Sequence, residues 1–213
     1  MGNPSSFETS ITDKTVAERT GRSWEEWFTI LDKWGAQEKG HKLTAKFLAE
    51  EWKVSPWWSQ TITVRYEQMR GKRRLGQRSD GKFAVSVTRS IKTTNEKAWD
   101  ALVDPALLSI WFTKNAESDL RVGGSYSNAD GDRGKFLAIE PYRRLKFTWE
   151  NPDHCPGTIV EFAFSEISPD RVRVVLEHQR IEDQTGYEKM KADWSQAMGS
   201  LKSFLETGKP VSF

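Results

Sequence analysis

Between Trp24 and Met69 apolar residues recur at three- and four-residue intervals, and from Phe83 onward they alternate with polar ones over short runs. The first spacing belongs to amphipathic helices, the second to half-buried strands. Ser23 followed by Glu26 reads as a capping box, with Trp24, Trp27, Phe28 and Leu31 on one helical face and Gly35 as the stop. A second helix is predicted from Leu43 to Trp52, presenting Phe47 and Leu48. Ser55-Pro56 opens a third that runs through Gln68, with Trp58, Ile62, Tyr66 and Met69 along its stripe. The expectation is a tryptophan-rich three-helix bundle over residues 21–71, preceded by a flexible tail over 1–20. A glycine-bearing, basic linker follows over 72–82.

Over residues 83–209 the pattern predicts a strand from Phe83 to Ile91 and a helix from Asn95 to Leu102, ended by Asp104-Pro105. A short helical turn from Leu107 to Phe112 comes next. Strands are expected at Ser125–Asn128, Lys135–Ile139, Leu145–Glu150, Thr158–Phe164 and Arg171–His178, separated by turn signals such as Asp130-Gly131-Asp132 and Pro169-Asp170. A last helix from Gly186 to Glu206 carries Tyr187, Met190, Trp194, Met198, Leu201 and Leu205 on one face. The predicted class is α+β. The order of strand, two short helices, five strands and a long final helix is that of the helix-grip fold, a bent antiparallel sheet wrapped around its C-terminal helix.

Several motifs carry a more specific likeness: Val103-Asp104-Pro105 with Trp111-Phe112, Val122-Gly123-Gly124, Glu140-Pro141 with Arg143-Arg144-Leu145, Phe147-Thr148-Trp149, and Trp194 with Leu201 and Leu205. With them, the region from Phe83 to Lys209 resembles the family of proteins similar to the activator of the heat-shock protein 90 ATPase, within the START-like superfamily. The resemblance implies a cavity between sheet and helix, and it names chaperone activation as one function to weigh.

Side chains alternate across a strand, so the face holding Phe147 and Trp149 also selects Phe162 and, further on, His178. Tyr126 and Asn128 share a face on an earlier strand. The expected ligand-binding residues are therefore Trp111, Phe112, Tyr126, Asn128, Phe147, Trp149, Phe162, His178, Trp194 and Met198, a mostly apolar lining with few polar groups. A ligand burying roughly 300 Å² of apolar surface gains about 7 kcal/mol, against an association cost of about 4–15 kcal/mol. Apolar burial alone binds weakly, so a polar anchor is required. His178, Asn128 and Tyr126 are the candidates.

Composition narrows the alternatives. The net charge is +2 with both signs intermixed, which names no polyanionic partner. The single cysteine, Cys155, can form no internal disulfide, and the first residues lack the apolar run of a signal peptide, so a cytoplasmic protein without membrane spans is expected. No carboxylate pair stands out for acid–base work. His154 and Cys155 are neighbours whose side chains point apart in extended chain. His41, His154 and His178 are too scattered for a metal site. Neither cofactor nor metal is expected. The bundle offers a protein-docking surface or, through Leu48–Trp58, a helix-turn-helix. Against DNA binding, Trp57 and Trp58 stand where a recognition helix shows polar or basic side chains. The leading expectation is binding of a hydrophobic small molecule with no identified catalysis. The alternatives are a ligand-responsive regulator whose bundle contacts DNA or protein, and a chaperone ATPase activator.

Overall fold

The computed structural model describes residues 11–78, 80–151 and 155–210. Two compact units meet in sequence between Leu75 and Gly76. The first holds α1 (Asp13–Thr20), α2 (Trp24–Trp34), α3 (Ala36–Glu50) and α4 (Pro56–Met69). The capping box forms: Ser23 Oγ accepts the Glu26 amide at 3.3 Å, and the Glu26 carboxylate accepts the Ser23 amide at 2.8 Å. Gly35 ends α2 with φ 76°, a left-handed conformation that glycine adopts without steric cost. Trp27, Leu31, Leu48, Ile62 and Tyr66 form the core of this unit.

Two features depart from the expected bundle. Residues 13–20, assigned to the tail, are helical, so the unit has four helices rather than three. Val16 is the one fully buried residue along α1, too little apolar surface to show in the sequence. Tertiary bonds hold the helix instead: Asp13 Oδ1 accepts the Trp24 amide at 3.0 Å, and Trp27 Nε1 donates to Thr20 Oγ1 at 2.8 Å. Next, α3 starts at Ala36 rather than Leu43, with a break at Gly40 (φ 77°, ψ 172°), and it ends before Trp52.

The second unit contains β1 (Phe83–Ile91), α5 (Asn95–Val103), α6 (Pro105–Trp111), β2 (Glu117–Ser118), β3 (Ser125–Ser127), β4 (Arg133–Glu140), β5 (Arg144–Trp149), β6 (Thr158–Ser168), β7 (Arg171–Ile181) and α7 (Gln184–Thr207). Its seven strands pair in the order β1-β7-β6-β5-β4-β3-β2, antiparallel throughout. The alternation is as expected. Leu145, Phe147 and Trp149 on β5, Val160, Phe162 and Phe164 on β6, and Val172, Val174, Leu176 and His178 on β7 are all buried. α7 packs on β1 and β7 through a face that includes Tyr187, Met190, Trp194, Met198 and Leu201, which makes this a helix-grip unit. The two-residue β2 carries no alternation to read, and the sequence did not show it.

Local chemistry fixes the elements around the helix. Thr94 caps α5 by accepting the Lys97 amide. Asp104 Oδ1 accepts the Ala106 amide at 2.8 Å, with Pro105 in the first turn of α6. Trp111 Nε1 donates to Ala101 O at 2.7 Å, and Ser200 Oγ on α7 donates to Trp111 O at 3.0 Å. The C-terminus of α6, and with it Trp111 and Phe112, is thereby held against both α5 and α7. Gly134 has a steric purpose: it pairs with Tyr126 across β3 and β4, and a Cβ there would lie 2.0 Å from Thr148 O and 2.8 Å from the Tyr126 ring.

Candidate functional site

Trp194 projects from α7 into the concave face of the sheet and meets four rings. It stacks on Phe112 at 5.8 Å and 7°, and meets Trp149 (5.3 Å), Phe162 (6.1 Å) and His178 (6.0 Å) edge to face. These rings nearly fill the bowl. What stays open inside is about 60 Å³, bordered by Tyr126, Phe136, Phe147 and Phe162 among others, space for roughly two to four water molecules.

On the other side of the same rings lies an open cleft of about 660 Å³, within the 300–1,000 Å³ typical of ligand sites. Trp111, Phe112, Trp149 and Trp194 border both spaces, so they form a wall between void and cleft. Ile110, 53% exposed, extends the apolar surface outward. Polar residues complete the lining: Lys114, Asp130 and Asp132 from the segments around β3, Asn151 after β5, and Asp193 and Gln196 on α7.

The ten residues expected to bind ligand divide into three groups. Trp111, Phe112, Trp149 and Trp194 face both spaces, while Tyr126, Asn128, Phe147 and Phe162 border the inner void alone. His178 and Met198 border neither.

His178, expected as a polar anchor, is fully buried with both ring nitrogens engaged. Trp194 Nε1 lies 2.9 Å from Nδ1 and Thr158 Oγ1 lies 2.7 Å from Nε2. An indole N–H can only donate, so Nδ1 accepts and the ring proton sits on Nε2. Nε2–H donates to Thr158 Oγ1, whose hydroxyl in turn donates to Cys155 O at 2.7 Å. Burial pushes the imidazole pKa down to about 4, which keeps it neutral and able to accept from Trp194. This histidine fixes the central tryptophan. The sequence placed it on the inner face but carried no sign that Trp194 and Thr158 would use its bonding capacity.

The other two candidate anchors are likewise occupied. Tyr126 OH donates to Thr148 O at 2.9 Å, and burial raises its pKa. Asn128 Oδ1 accepts the amides of Asp130 and Asp132 at 3.0 Å each, and its Nδ2 donates to Asp132 Oδ2 at 2.9 Å. Asn151, 2% exposed, donates to Asp132 Oδ1 at 2.7 Å. Asn128 therefore shapes the β3–β4 turn and sets Asp130 and Asp132 at the cleft. These aspartates, with Ile110, Asn151 and Asp193, are lining residues that sequence reasoning missed. The Asp130-Gly131-Asp132 signal was visible as a turn, but its neighbour across the cleft comes from α7.

Cys155 is half-buried with its thiol pKa raised, first by burial and then by Asp183. Its sequence neighbour His154 lies outside the described residues. Among the described residues no group of three or more acidic, histidine or cysteine side chains could hold a metal ion, and no helix is long and apolar enough to cross a membrane. In the first unit α4 follows a short turn after α3, and its opening turn carries Pro56, Trp57 and Trp58 but no basic side chain. Trp57 is 61% exposed there.

A family model described as activator of Hsp90 ATPase homolog 1-like protein matches residues 92–206, more than half of the chain. Among solved structures, CalU16 from Micromonospora echinospora is 25% identical, with a TM-score of 0.54 over 62% of this chain and 82% of its own. The Aha1 dimer from Colwellia psychrerythraea is 23% identical, with a TM-score of 0.53 over 59% of this chain and 98% of its own. No curated protein matches the sequence. The family match begins just after β1 and ends within the last turns of α7, so it is through its helix-grip unit that this chain belongs to the family of proteins similar to the activator of Hsp90 ATPase homolog 1.

Proposed function

We propose that the second unit binds a hydrophobic small molecule in the open cleft, against a back wall made by Phe112, Trp149 and Trp194. The observation that carries this reading is the cleft's size, about 660 Å³ against about 60 Å³ inside the bowl. A molecule of even ten or so heavy atoms needs well over the inner volume, so binding between sheet and helix is displaced outward to the cleft. The His178–Trp194 bond supports it by pre-setting the wall, which lowers the ordering cost of association. No catalytic step is assigned, and the cytoplasm is the expected setting.

Native mass spectrometry of the purified full-length chain tests the proposal, followed by titration calorimetry with whatever molecule is released. The expected result is a bound apolar compound whose affinity falls at least about tenfold in Ile110→Arg, which places a charge at the cleft mouth. A chain that purifies empty and binds no member of a panel of apolar ring compounds overturns it.

A second reading, stimulation of a chaperone ATPase, is favoured by family membership. In it the first unit serves as a protein-docking element with Trp57 as an exposed anchor. Steady-state ATPase assays of an Hsp90 with and without this protein decide it: a clear rise supports activation, and an unchanged rate removes it.

A further inference from the structure

We propose that the first unit carries a separate anion site, a pocket beside α4, the start of α2 and Ile11 that takes a small aryl carboxylate. The observation behind it is a cluster of donors with no acceptor. Trp24 Nε1 and the Nε and Nη1 atoms of Arg65 are sealed from solvent, and none has a hydrogen-bond partner among the described residues. An indole N–H and a guanidinium can only donate. Buried donors left open cost free energy that an acceptor recovers. The two side chains act together, because the Arg65 guanidinium lies over the Trp24 ring, 4.7 Å from its centroid.

Trp24 and Arg65 line two spaces on this unit. In the larger, about 580 Å³, Asp13 and Glu25 stand beside them, and the second arginine there, Arg70, is bonded to Asp32. That side already has its carboxylates. In the smaller, about 250 Å³, Arg65 is the one charged side chain of the lining among the described residues; Thr61 and Gln68 are neutral, Ile11 and Val64 apolar. Asp13 acts on Arg65 from outside this space, but it is exposed and its Oδ1 accepts the Trp24 amide at 3.0 Å. Burial lowers the Arg65 pKa more than Asp13 raises it, so the guanidinium is short of counter-charge. The lining sets the class of guest. A guanidinium forks onto a carboxylate, while Ile11, Val64 and the Trp24 ring receive an apolar body. The volume falls just below the roughly 300–1,000 Å³ of drug-sized sites, which suits one ring on a short acid chain.

The test titrates the full chain with phenylacetate, phenylacetamide and 2-phenylethylammonium, following the Trp24 indole N–H signal by nuclear magnetic resonance, assigned through Trp24→Phe. This readout separates the pocket from the cleft of the second unit. Phenylacetate is expected to move that signal and to bind at least about tenfold more tightly than the neutral amide, with the cation weakest. High salt narrows the gap by screening. Arg65→Gln, checked for unchanged thermal unfolding, removes the preference for the carboxylate, and Arg65→Lys keeps the charge but loses the fork and retains part of it. Equal affinities for phenylacetate and phenylacetamide, or a Trp24 signal that no titration moves, overturn the proposal. Glu8 is the single acidic side chain of residues 1–10, which lead into Ile11. Binding of phenylacetate by Glu8→Gln but not by the unaltered chain assigns the open donors to this chain's own carboxylate, and likewise overturns the free-ligand proposal. If an Arg65 variant does not fold, the three-ligand comparison on the unaltered protein still decides.

Discussion

The void inside the sheet and the cleft outside it share a wall, yet they behave as opposite kinds of space. Inward, the rings of Trp149, Phe162 and Trp194 meet one another closely enough to leave about 60 Å³; outward, the same Trp194 and Trp149 border about 660 Å³. The difference lies in what faces the rings. Inside they meet other buried aromatics selected by strand alternation. Outside they border open space rimmed by the C-terminal end of α6, the middle of α7 and the β3–β4 turn. An aromatic stripe in the sequence thus serves as core and as cleft lining at once, and the two roles separate only at the wall.

The strongest way to break the comparison is to remove the wall. Trp194→Ala is expected to cost about 3–5 kcal/mol of stability in chemical denaturation, because it deletes a large buried ring and orphans His178 Nδ1. It also merges the two spaces, so naphthalene should raise the variant's melting temperature by more than it raises the unaltered protein's.

Next comes His178, whose folded pKa of about 4 lies below its ordinary value of 6.5. Between these values the unfolded chain holds the extra proton, so stability is full above pH 6.5 and declines as pH falls toward 4, by about 3 kcal/mol in total. Urea titrations across that window check it. His178→Gln should flatten the slope in the window, and an unchanged slope would assign the acid sensitivity elsewhere. His178→Ala should lose about 2–4 kcal/mol by leaving Trp194 Nε1 and Thr158 Oγ1 without their partner.

Phe112→Ala sharpens the boundary. Phe112 is half-buried at the C-terminal cap of α6 and stacks on Trp194, so its loss should cost only about 1–2 kcal/mol while opening a passage between void and cleft. Bulkier apolar ligands should then bind as well as small ones, measured by quenching of tryptophan fluorescence. The smallest stability effect belongs to Ile110→Arg on the exposed rim, within about 0.5 kcal/mol, although its effect on binding is among the largest.

Legibility followed the physical origin of each element. β5, β6 and β7 were readable because their buried residues largely alternate with more exposed ones, and α7 because its buried residues recur at three- and four-residue intervals. The Ser23–Glu26 cap was readable because it is a contact between near neighbours. α1 was not: one buried valine gives no periodicity, and the bonds from Asp13 to Trp24 and from Trp27 to Thr20 join it to another helix. β2 is too short for any pattern. Of the residues lining the cleft, Trp111, Phe112, Trp149 and Trp194 were legible as aromatic positions on or beside regular elements, whereas Ile110 on α6, the aspartates of the β3–β4 turn and Asp193 on α7 were not.

Alternation and helical spacing were enough to set the order of elements, the inward aromatic face and the family likeness, since these depend on residues close in the chain. How full the bowl is, what His178 bonds to and where open space remains depend on side chains from distant elements meeting in three dimensions. Packing volume is a sum over all of them, and no local stretch records it. The same strands and helix would read alike with an empty bowl; the angle at which Trp194 meets Trp149 and Phe162 closes it and leaves the outer cleft as the larger space.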